Sequence, residues 1–402
     1  MTEPRVTGPA ATRRRVLGGT AGLLALGGSP ARSSVAQPEA AQAFPIVLTV
    51  LDAVGALRQT QPAFEAYHKA KPGLVSKVVY TDAPALKVQE RLEGPLDPGK
   101  ARPDLVLVDP ALLSAGIAQK LWLPLLPQYA DALPGLQEVL LPPAWAMQGR
   151  ARGQGIVVNY CPCGPILEYM PDHLGSAPGT AGELLAWAQS HPSRFTYARP
   201  ARSLSGRAFL MALPYLLGDA DPKDPAQGWT KTWSYLEQLD HTITRYPASV
   251  DMALTWLQAG QIDLAVSTTA ADMSPRMYGR KKTPTSIAAL KGFHWISDAH
   301  YVVVPNATPD ARVPVLLDVI SFLLTKAAQV LMYDFGAFYP GPAVAGVSPA
   351  LAPQSTQDRL RIAGRPEYAG LIADNPAETP LDEDKLAYAV NRWNELIDAA
   401  KR

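Results

Sequence analysis

Cysteine is scarce in this chain of 402 residues. Only Cys161 and Cys163 are present, so the sequence offers neither a disulfide framework nor a four-cysteine zinc site. One intervening residue would make a mutual disulfide a small, strained ring, although an oxidising compartment would permit it. No second Cys or His pair completes a tetrahedral set, so we expect no metal and no cofactor here.

Charge and catalytic motifs are sparse as well. Charged residues make up 18% of the chain and the formal net charge is +1. Beyond the N-terminal region the longest basic run is three residues, at 280–282, so nucleic acid and anionic membranes are not expected partners. A P-loop, a dinucleotide fingerprint, and His-Glu-x-x-His and Gly-x-Ser-x-Gly motifs are all absent. These absences leave small ligands or proteins as partners and favour a protein that is not an enzyme.

The N-terminal region has the layout of an export signal. Three arginines at 13–15 precede an apolar run at 16–28, which is shorter than the roughly 20 residues that span a bilayer. The segment resembles a twin-arginine export signal, and small-x-Ala cleavage sites end at Ala36 and Ala43. We therefore predict that residues 1–43 are a signal and linker and that the mature protein is periplasmic.

Beyond residue 43, apolar strands alternate with amphipathic helices, which predicts α/β lobes with mostly parallel sheets covered on both faces. The remaining length of about 360 residues exceeds a single hydrophobic core, so we expect two lobes. The predicted strands are 44–51, 74–80, 104–109, 153–160, 194–198, 262–268 and 300–306. The predicted helices are 62–70, 84–93, 110–119, 181–190, 206–218, 228–241, 249–260 and 311–334.

The order of these elements predicts a chain that leaves the first lobe, builds the second, and returns. The predicted segments are 44–150 for the first part of lobe 1, 151–269 for lobe 2, 270–335 for the return to lobe 1, and 336–402 for a C-terminal segment. We expect the C-terminal segment to pack on lobe 2 or across the hinge. Two crossings between lobes would form that hinge.

Several stretches resemble the extracellular solute-binding proteins of bacterial ABC importers, in the group related to thiamine, polyamine, ferric-ion and sugar-phosphate binders. These are HPSRFTYARPARSLSGRAFLMALPYLLG (191–218), LTWLQAGQIDLAVS (254–267), HYVVVPNAT (300–308) and FGAFYPGPA (335–343). The RFTY block is most similar to the YnjB-like branch, with Ser193 in place of a glycine and Arg207 where a small residue is common.

The resemblance implies a type II periplasmic-binding-protein fold, with two lobes of mostly parallel sheet and flanking helices joined by a hinge. It also implies a monomeric receptor that captures a small polar solute between the lobes and delivers it to a membrane permease. No adjacent tyrosine pair occurs, which disfavours ferric ion as the ligand. We expect either a thiamine-like molecule or an anionic or phosphorylated solute.

Ligands of open α/β sheets collect at the carboxyl ends of the strands. The predicted ligand-binding residues are Asp52, Tyr160, Tyr197, Arg202, Ser203, Ser205, Gly206, Thr268, Asp298 and Tyr301. The ARSLSGR loop at 201–207 is the sharpest candidate, because hydroxyls, a glycine and arginines before a helix can hold an anion. Alternatively, Ser205 is only the N-cap of that helix.

Other candidates have plain structural interpretations. Asp109 before Pro110 is predicted to cap a helix. The three tyrosines can equally be core aromatics, and His300 is more readily a hydrogen-bonded core residue than a ligand.

Two further functions stay open at this point. One is a thiamine-cleaving type of enzyme on the same fold, with Cys161 or Cys163 as the nucleophile, although the nearest histidine in sequence is His173. The other is a secreted interaction or sensor protein.

Overall fold

The computed structural model describes residues 44–95, 101–280, 284–334 and 336–398. These residues belong to one compact unit, Gln42–Arg402. The predicted export signal and linker at 1–43, with both cleavage sites, lies outside the described residues.

The strands of the described residues are β1 Ile46–Asp52, β2 Val75–Asp82, β3 Leu105–Val108, β4 Ile156–Gly164, β5 Ile166–Tyr169, β6 Phe195–Thr196, β7 Leu264–Ser267, β8 Ser286–Ala288, β9 Trp295–Val303, β10 Gly341–Pro342 and β11 Ala377–Glu378. The α-helices are α1 Leu57–Ala70, α2 Val88–Glu93, α3 Pro110–Ala118, α4 Leu136–Val139, α5 Pro142–Gln148, α6 Ala181–Ser190, α7 Leu204–Leu217, α8 Thr230–Asp240, α9 Val250–Gln258, α10 Thr269–Met277, α11 Val313–Leu323, α12 Lys326–Gln329, α13 Gln354–Ala363, α14 Glu367–Asp374 and α15 Glu383–Leu396.

The strands form two sheets. The larger has the order β10-β4-β9-β3-β1-β2, with β11 paired to β9, and the smaller has the order β6-β7-β5-β8. Every residue of β3 and of β7 is buried, which explains why these strands are continuously apolar in sequence. The α/β class with helix-flanked sheets is confirmed.

The sheets are mixed rather than mostly parallel. Strands β1, β2 and β3 pair in parallel, and so do β6 and β7. In contrast, β9 runs antiparallel to β3 and β4, and β5 runs antiparallel to β7 and β8. Strand β10 also runs antiparallel to its partner β4.

Strands β4 and β9 connect the two sheets. They pair along their whole length, from Ile156 opposite Val302 to Gly164 opposite Ile296, whereas β9 pairs with β3 only at residues 301–303. Beyond Gly164 the chain enters β5, and before β9 it leaves β8, both in the smaller sheet. The chain therefore passes from the larger sheet to the smaller and back through one pair of antiparallel strands. It crosses once more after β10, because Tyr368 of α14 donates a hydrogen bond to Asp272 of α10 at 3.0 Å.

This geometry corrects the predicted segment boundaries. The chain is still in the larger sheet when β4 starts, so the crossing comes after residue 151. The return was predicted from residue 270, but β8 pairs with β5 through residues 286–288. These backbone hydrogen bonds keep the chain in the smaller sheet until β9.

The C-terminal segment contacts both the crossing strands and the core of the smaller sheet. Strand β10 pairs with β4 and β11 pairs with β9. Helix α15 buries Trp393 completely, and its Nε1 donates a hydrogen bond to Tyr197 Oη at 2.8 Å. An ion pair of 3.0 Å between Arg199 and Asp398 adds to this attachment.

The predicted helix at 311–334 is broken. Helix α11 ends at Leu323, and Thr325 caps α12 by accepting a hydrogen bond from the Ala328 N–H at 3.2 Å. In the described part of the chain, no single helix is long and apolar enough to cross a membrane; only the bent pair of 310–323 and 326–332 reaches that size when combined.

Candidate functional site

The side chains of β4 and β9 alternate between two faces where these strands cross between the sheets. Asn159 lies opposite His300 and Cys161 lies opposite Asp298, so these four side chains share one face. We call this set the crossing face. Tyr160 lies on the other face, where its Oη is 3.1 Å from Ser297 Oγ.

Asp298 is the carboxylate of the crossing face. It is partly buried, and it accepts a hydrogen bond from the N–H of its neighbour Ala299 at 2.8 Å. Burial is the main cause that raises the pKa of Asp298 to about 7, and the Asp109 carboxylate also raises it, while Arg207 and Arg150 lower it. At neutral pH this group can therefore either accept or donate a hydrogen bond.

His300 sits beside Asp298 in a dry environment. Its side chain is 7% exposed, its Nδ1 has no hydrogen-bond partner within the described residues, and its ring stacks on Phe338 with centroids 3.9 Å apart. Burial, with a contribution from Arg58, lowers the pKa of His300 to about 3. The imidazole is consequently neutral at physiological pH.

The N-terminus of α7 approaches the crossing face from the smaller sheet. Ser203 is the N-cap residue, which corrects the alternative that gave this position to Ser205, and the two hydroxyl oxygens lie 2.9 Å apart. The first helical bond runs from the Arg207 N–H to the Ser203 carbonyl at 3.0 Å. The preceding N–H groups have no acceptor within the helix, as at any helix start, and can serve a negative group.

Gly206 allows this helix to approach the chain before it. A Cβ placed on Gly206 would lie 2.0 Å from the carbonyl oxygen of Ala198. Glycine therefore places the first turn of α7 against the end of the RFTYA segment.

Three predicted or weighed residues hold the chain at the starts of helices: Asp109 and Thr268 are N-caps, whereas Asp52 binds the turn that leads into α1, whose N-cap is Ala56. The Asp52 carboxylate accepts hydrogen bonds from four consecutive backbone N–H groups at the start of α1, at 3.0, 2.9, 3.1 and 2.9 Å. Asp109 accepts from Leu112 N–H at 2.8 Å, as predicted, and Thr268 accepts from the third N–H of α10 at 3.2 Å. These contacts give Asp52 and Thr268 structural roles and occupy the Asp52 oxygens.

The predicted tyrosines do not converge. Tyr197 is buried in the core of the smaller sheet, between Phe209, Tyr246 and Trp393. Tyr301 is buried in the larger sheet, where its Oη donates to the Met147 carbonyl at 2.8 Å. With Tyr160 on the other face of β4, all three are explained by packing.

Arg202 and Arg207 bracket the α7 start but differ in position. Arg202 lies in the exposed turn before the helix, whereas Arg207 is partly buried and close enough to lower the pKa of Asp298. Arg207 belongs to the ARSLSGR loop but is not among the predicted ligand-binding residues, and neither is Phe338. Phe338 lies in the FGAFYPGPA block, where no local pattern indicates its contact with His300.

The environment of the two thiols does not favour a nucleophile. Cys161 Sγ lies 3.5 Å from Thr269 Oγ1, and burial, followed by the adjacent Cys163 thiol, raises the pKa of Cys161 well above its usual range. A thiol nucleophile needs the opposite shift. His173 instead pairs with Asp263 at 3.3 Å, so the structure offers no support for the thiol enzyme.

Comparison with known proteins agrees with this architecture. The profile of the bacterial extracellular solute-binding protein family matches residues 63–360. Among curated proteins, none matches the chain.

Solved structures share the fold at low sequence identity. An ABC transporter protein from Clostridium perfringens has 13% identity and a TM-score of 0.64 over 88% of this chain and 100% of its own. A putative extracellular solute-binding protein from Bordetella parapertussis has 13% identity and a TM-score of 0.63 over 87% and 98%. A periplasmic thiamin-binding protein has 17% identity and a TM-score of 0.51 over 89% and 96%. These likenesses establish the two-lobed fold.

Because the family profile covers most of the chain, the class of the protein is defined: it is a solute-binding protein with a two-lobed α/β fold. The chain belongs to the bacterial extracellular solute-binding protein family.

Proposed function

We propose that this protein is the receptor of a bacterial ABC importer, which captures a small polar solute between its lobes and delivers it to a membrane permease. Its family and the ABC transporter protein among its structural neighbours support this role. The export layout of residues 1–43 supports a periplasmic location and the twin-arginine route. The RFTY block supports a place in the YnjB-like branch.

Hinge closure is the motion that this role requires. The paired strands β4 and β9 join the two sheets, and the chain after β10 crosses beside them. Bending at these connections changes the angle between lobes without breaking either core. The contacts of α15 with the core of the smaller sheet make the C-terminal segment part of that lobe in this proposal. Arg150, which lies between α5 and β4 in the larger lobe, donates a hydrogen bond to the Asp382 carboxylate just before α15 at 3.0 Å.

The observation that carries the proposal is the position of Asp298. This partly buried carboxyl group lies on a strand that joins the lobes, and the first turn of α7 brings Arg207 close to it. A negative group and the positive end of a helix thus meet at one place, where a ligand would contact residues of both lobes.

This combination suits a solute with two different ends. The α7 N-terminus and Arg207 would bind an anionic or phosphorylated group. Asp298 would accept a hydrogen bond from an amino group or pair with a cationic ring. A thiamine-like molecule has both ends, and a thiamin-binding protein is among the structural neighbours. Arg202, Ser203 and Ser205 would border the anionic end.

Thermal unfolding of the mature protein with a panel of compounds tests the proposal. The panel contains thiamine, its phosphates, polyamines, sugar phosphates and phosphonates. A ligand at about 100 times its Kd adds roughly 2.7 kcal/mol to the free energy of unfolding, so one class should raise the midpoint clearly.

Variants then locate the site. Arg207→Gln should weaken binding of phosphorylated compounds most, and Asp298→Asn should weaken compounds with an amino group or cationic ring. Arg361→Gln is the matched control, because its side chain is 78% exposed on α13. If the ligand raises the unfolding midpoint equally in all three variants, the ligand binds elsewhere. If no compound raises the midpoint of the wild-type protein, these ligand classes are rejected.

A further inference from the structure

The two cysteines form a buried pair on β4, where this strand crosses between the sheets. They are separated by one residue on β4 and are 2% and 3% exposed. Both contact Phe338 in one small apolar cluster, and the Cys163 thiol is close enough to raise the pKa of Cys161. The chain thus presents two adjacent sulfur atoms in a dry environment, and the solute-receptor role uses neither.

The number of donors selects the kind of ion that such a pair could bind. Within the described residues, no group of three or more His, Cys, Asp and Glu side chains is arranged to hold a metal ion. Zinc needs four ligands, so the pair does not suit it. Soft thiolates select Cu(I), and closed-shell monovalent ions of this kind accept two sulfur ligands in line.

A second feature of the same region also indicates a ligand. The Nδ1 of His300 is buried without a partner within the described residues, and a buried polar group left unpaired costs about 1–3 kcal/mol. The ring that covers it is Phe338, the same ring that covers both thiols. One side chain therefore covers the two thiols and the unpaired nitrogen of His300.

We propose that Cys161 and Cys163 form a two-coordinate binding site for one soft monovalent cation of the Cu(I) class, with the unpaired Nδ1 of His300 as a neighbouring polar group that supports the site without binding the ion. Each thiol loses its proton to solvent when the ion binds, and two sulfur–metal bonds form without any electron transfer. Opening of the lobes gives the ion access. This site does not depend on which solute the cleft binds.

Anaerobic competition with the Cu(I) chelator bicinchoninate tests the site. The wild-type protein should remove one equivalent of Cu(I) from the chelator and develop a thiolate-to-copper absorption band in the near ultraviolet. Cys161→Ser and Cys163→Ser should each abolish this one-to-one binding, and His300→Gln should weaken it about tenfold. Tyr160→Phe is the matched control, because Tyr160 is the neighbour of Cys161 on β4 but points to the other face, where its Oη contacts Ser297.

Controls of folding and of thiol state accompany the titration. The alanine variants of both cysteines provide a second pair if a serine variant unfolds, which its thermal midpoint would show. Thiol counting in denaturant should give two free thiols in the wild-type protein. Copper binding that survives in the double cysteine variant would overturn the proposal, and so would a wild-type protein with two free thiols that fails to compete. An oxidised pair in the purified protein would overturn it as well.

Discussion

The opposite pKa shifts of Asp298 and His300 predict that their effects on stability cancel in the wild-type protein. The folded pKa of Asp298 is about 7, above the usual value near 3.9 in an unfolded chain. Between these values the folded state binds the extra proton, so this group stabilises the fold at low pH and loses that contribution as pH rises towards 7. From pH 5 to pH 7 the loss amounts to up to about 2 kcal/mol, at roughly 1.4 kcal/mol per pKa unit.

His300 has the opposite sign. Its folded pKa is about 3, below the usual value near 6.5, so below pH 6.5 the unfolded state binds the extra proton. Its stabilising contribution is present above pH 6.5 and is lost as pH falls towards 3. Between pH 7 and pH 5 this loss is also about 2 kcal/mol, so the two groups together leave almost no slope.

Single substitutions should reveal each slope. We compare free energies of unfolding from urea unfolding at pH 5, 6, 7 and 8. The difference between Asp298→Asn and the wild type should shift in favour of the variant as pH rises. The difference between His300→Gln and the wild type should shift in favour of the variant as pH falls. Asp131→Asn is the control, because Asp131 is exposed on the surface, and its curve should run parallel to that of the wild type. Parallel curves for all three variants would refute the assigned environments of Asp298 and His300.

Two further substitutions test the geometry around the site. Gly206→Ala must displace backbone, because its Cβ would lie 2.0 Å from the Ala198 carbonyl oxygen, and we expect its free energy of unfolding to fall by at least about 2 kcal/mol. Gly182→Ala is the control: its Cβ would meet open space, and its free energy of unfolding should rise by up to about 1 kcal/mol. Denaturant unfolding measures both. Asp52→Ala removes the acceptor of four N–H groups and should lower the thermal midpoint by the equivalent of about 1–2 kcal/mol. The exposed strand-end residue Asp82, changed to Ala, should leave the midpoint unchanged. Equal midpoints for the two aspartate variants would contradict the role of Asp52 in holding the turn before α1.

Local patterns were sufficient to predict most elements. Continuous apolar stretches predicted β1, β3 and β7, and helical spacing predicted α6, α8 and α9 within a few residues. Asp109 was predicted as a helix cap because aspartate is preferred at the N-cap position and proline follows it at the first helical position. These features depend only on residues that are neighbours in the sequence.

Contacts between distant segments could not be predicted in this way. Tyr197 meets Trp393 across 196 positions, and nothing near either residue indicates that contact. Phe338 covers His300 only because the 336–340 segment folds back over β9. The break after Leu323 was missed because the apolar pattern continues through it, although Thr325 is a recognisable cap.

A distance measurement between the lobes tests the central claim most directly. Spin labels at Lys69→Cys on α1 and Glu237→Cys on α8, in a chain whose two native cysteines are changed to serine, would report the separation of two exposed positions, one beside each sheet. We predict that the compound that raises the unfolding midpoint shortens this distance and narrows its distribution. An unchanged distribution with that compound at saturation would contradict a receptor that closes on its solute.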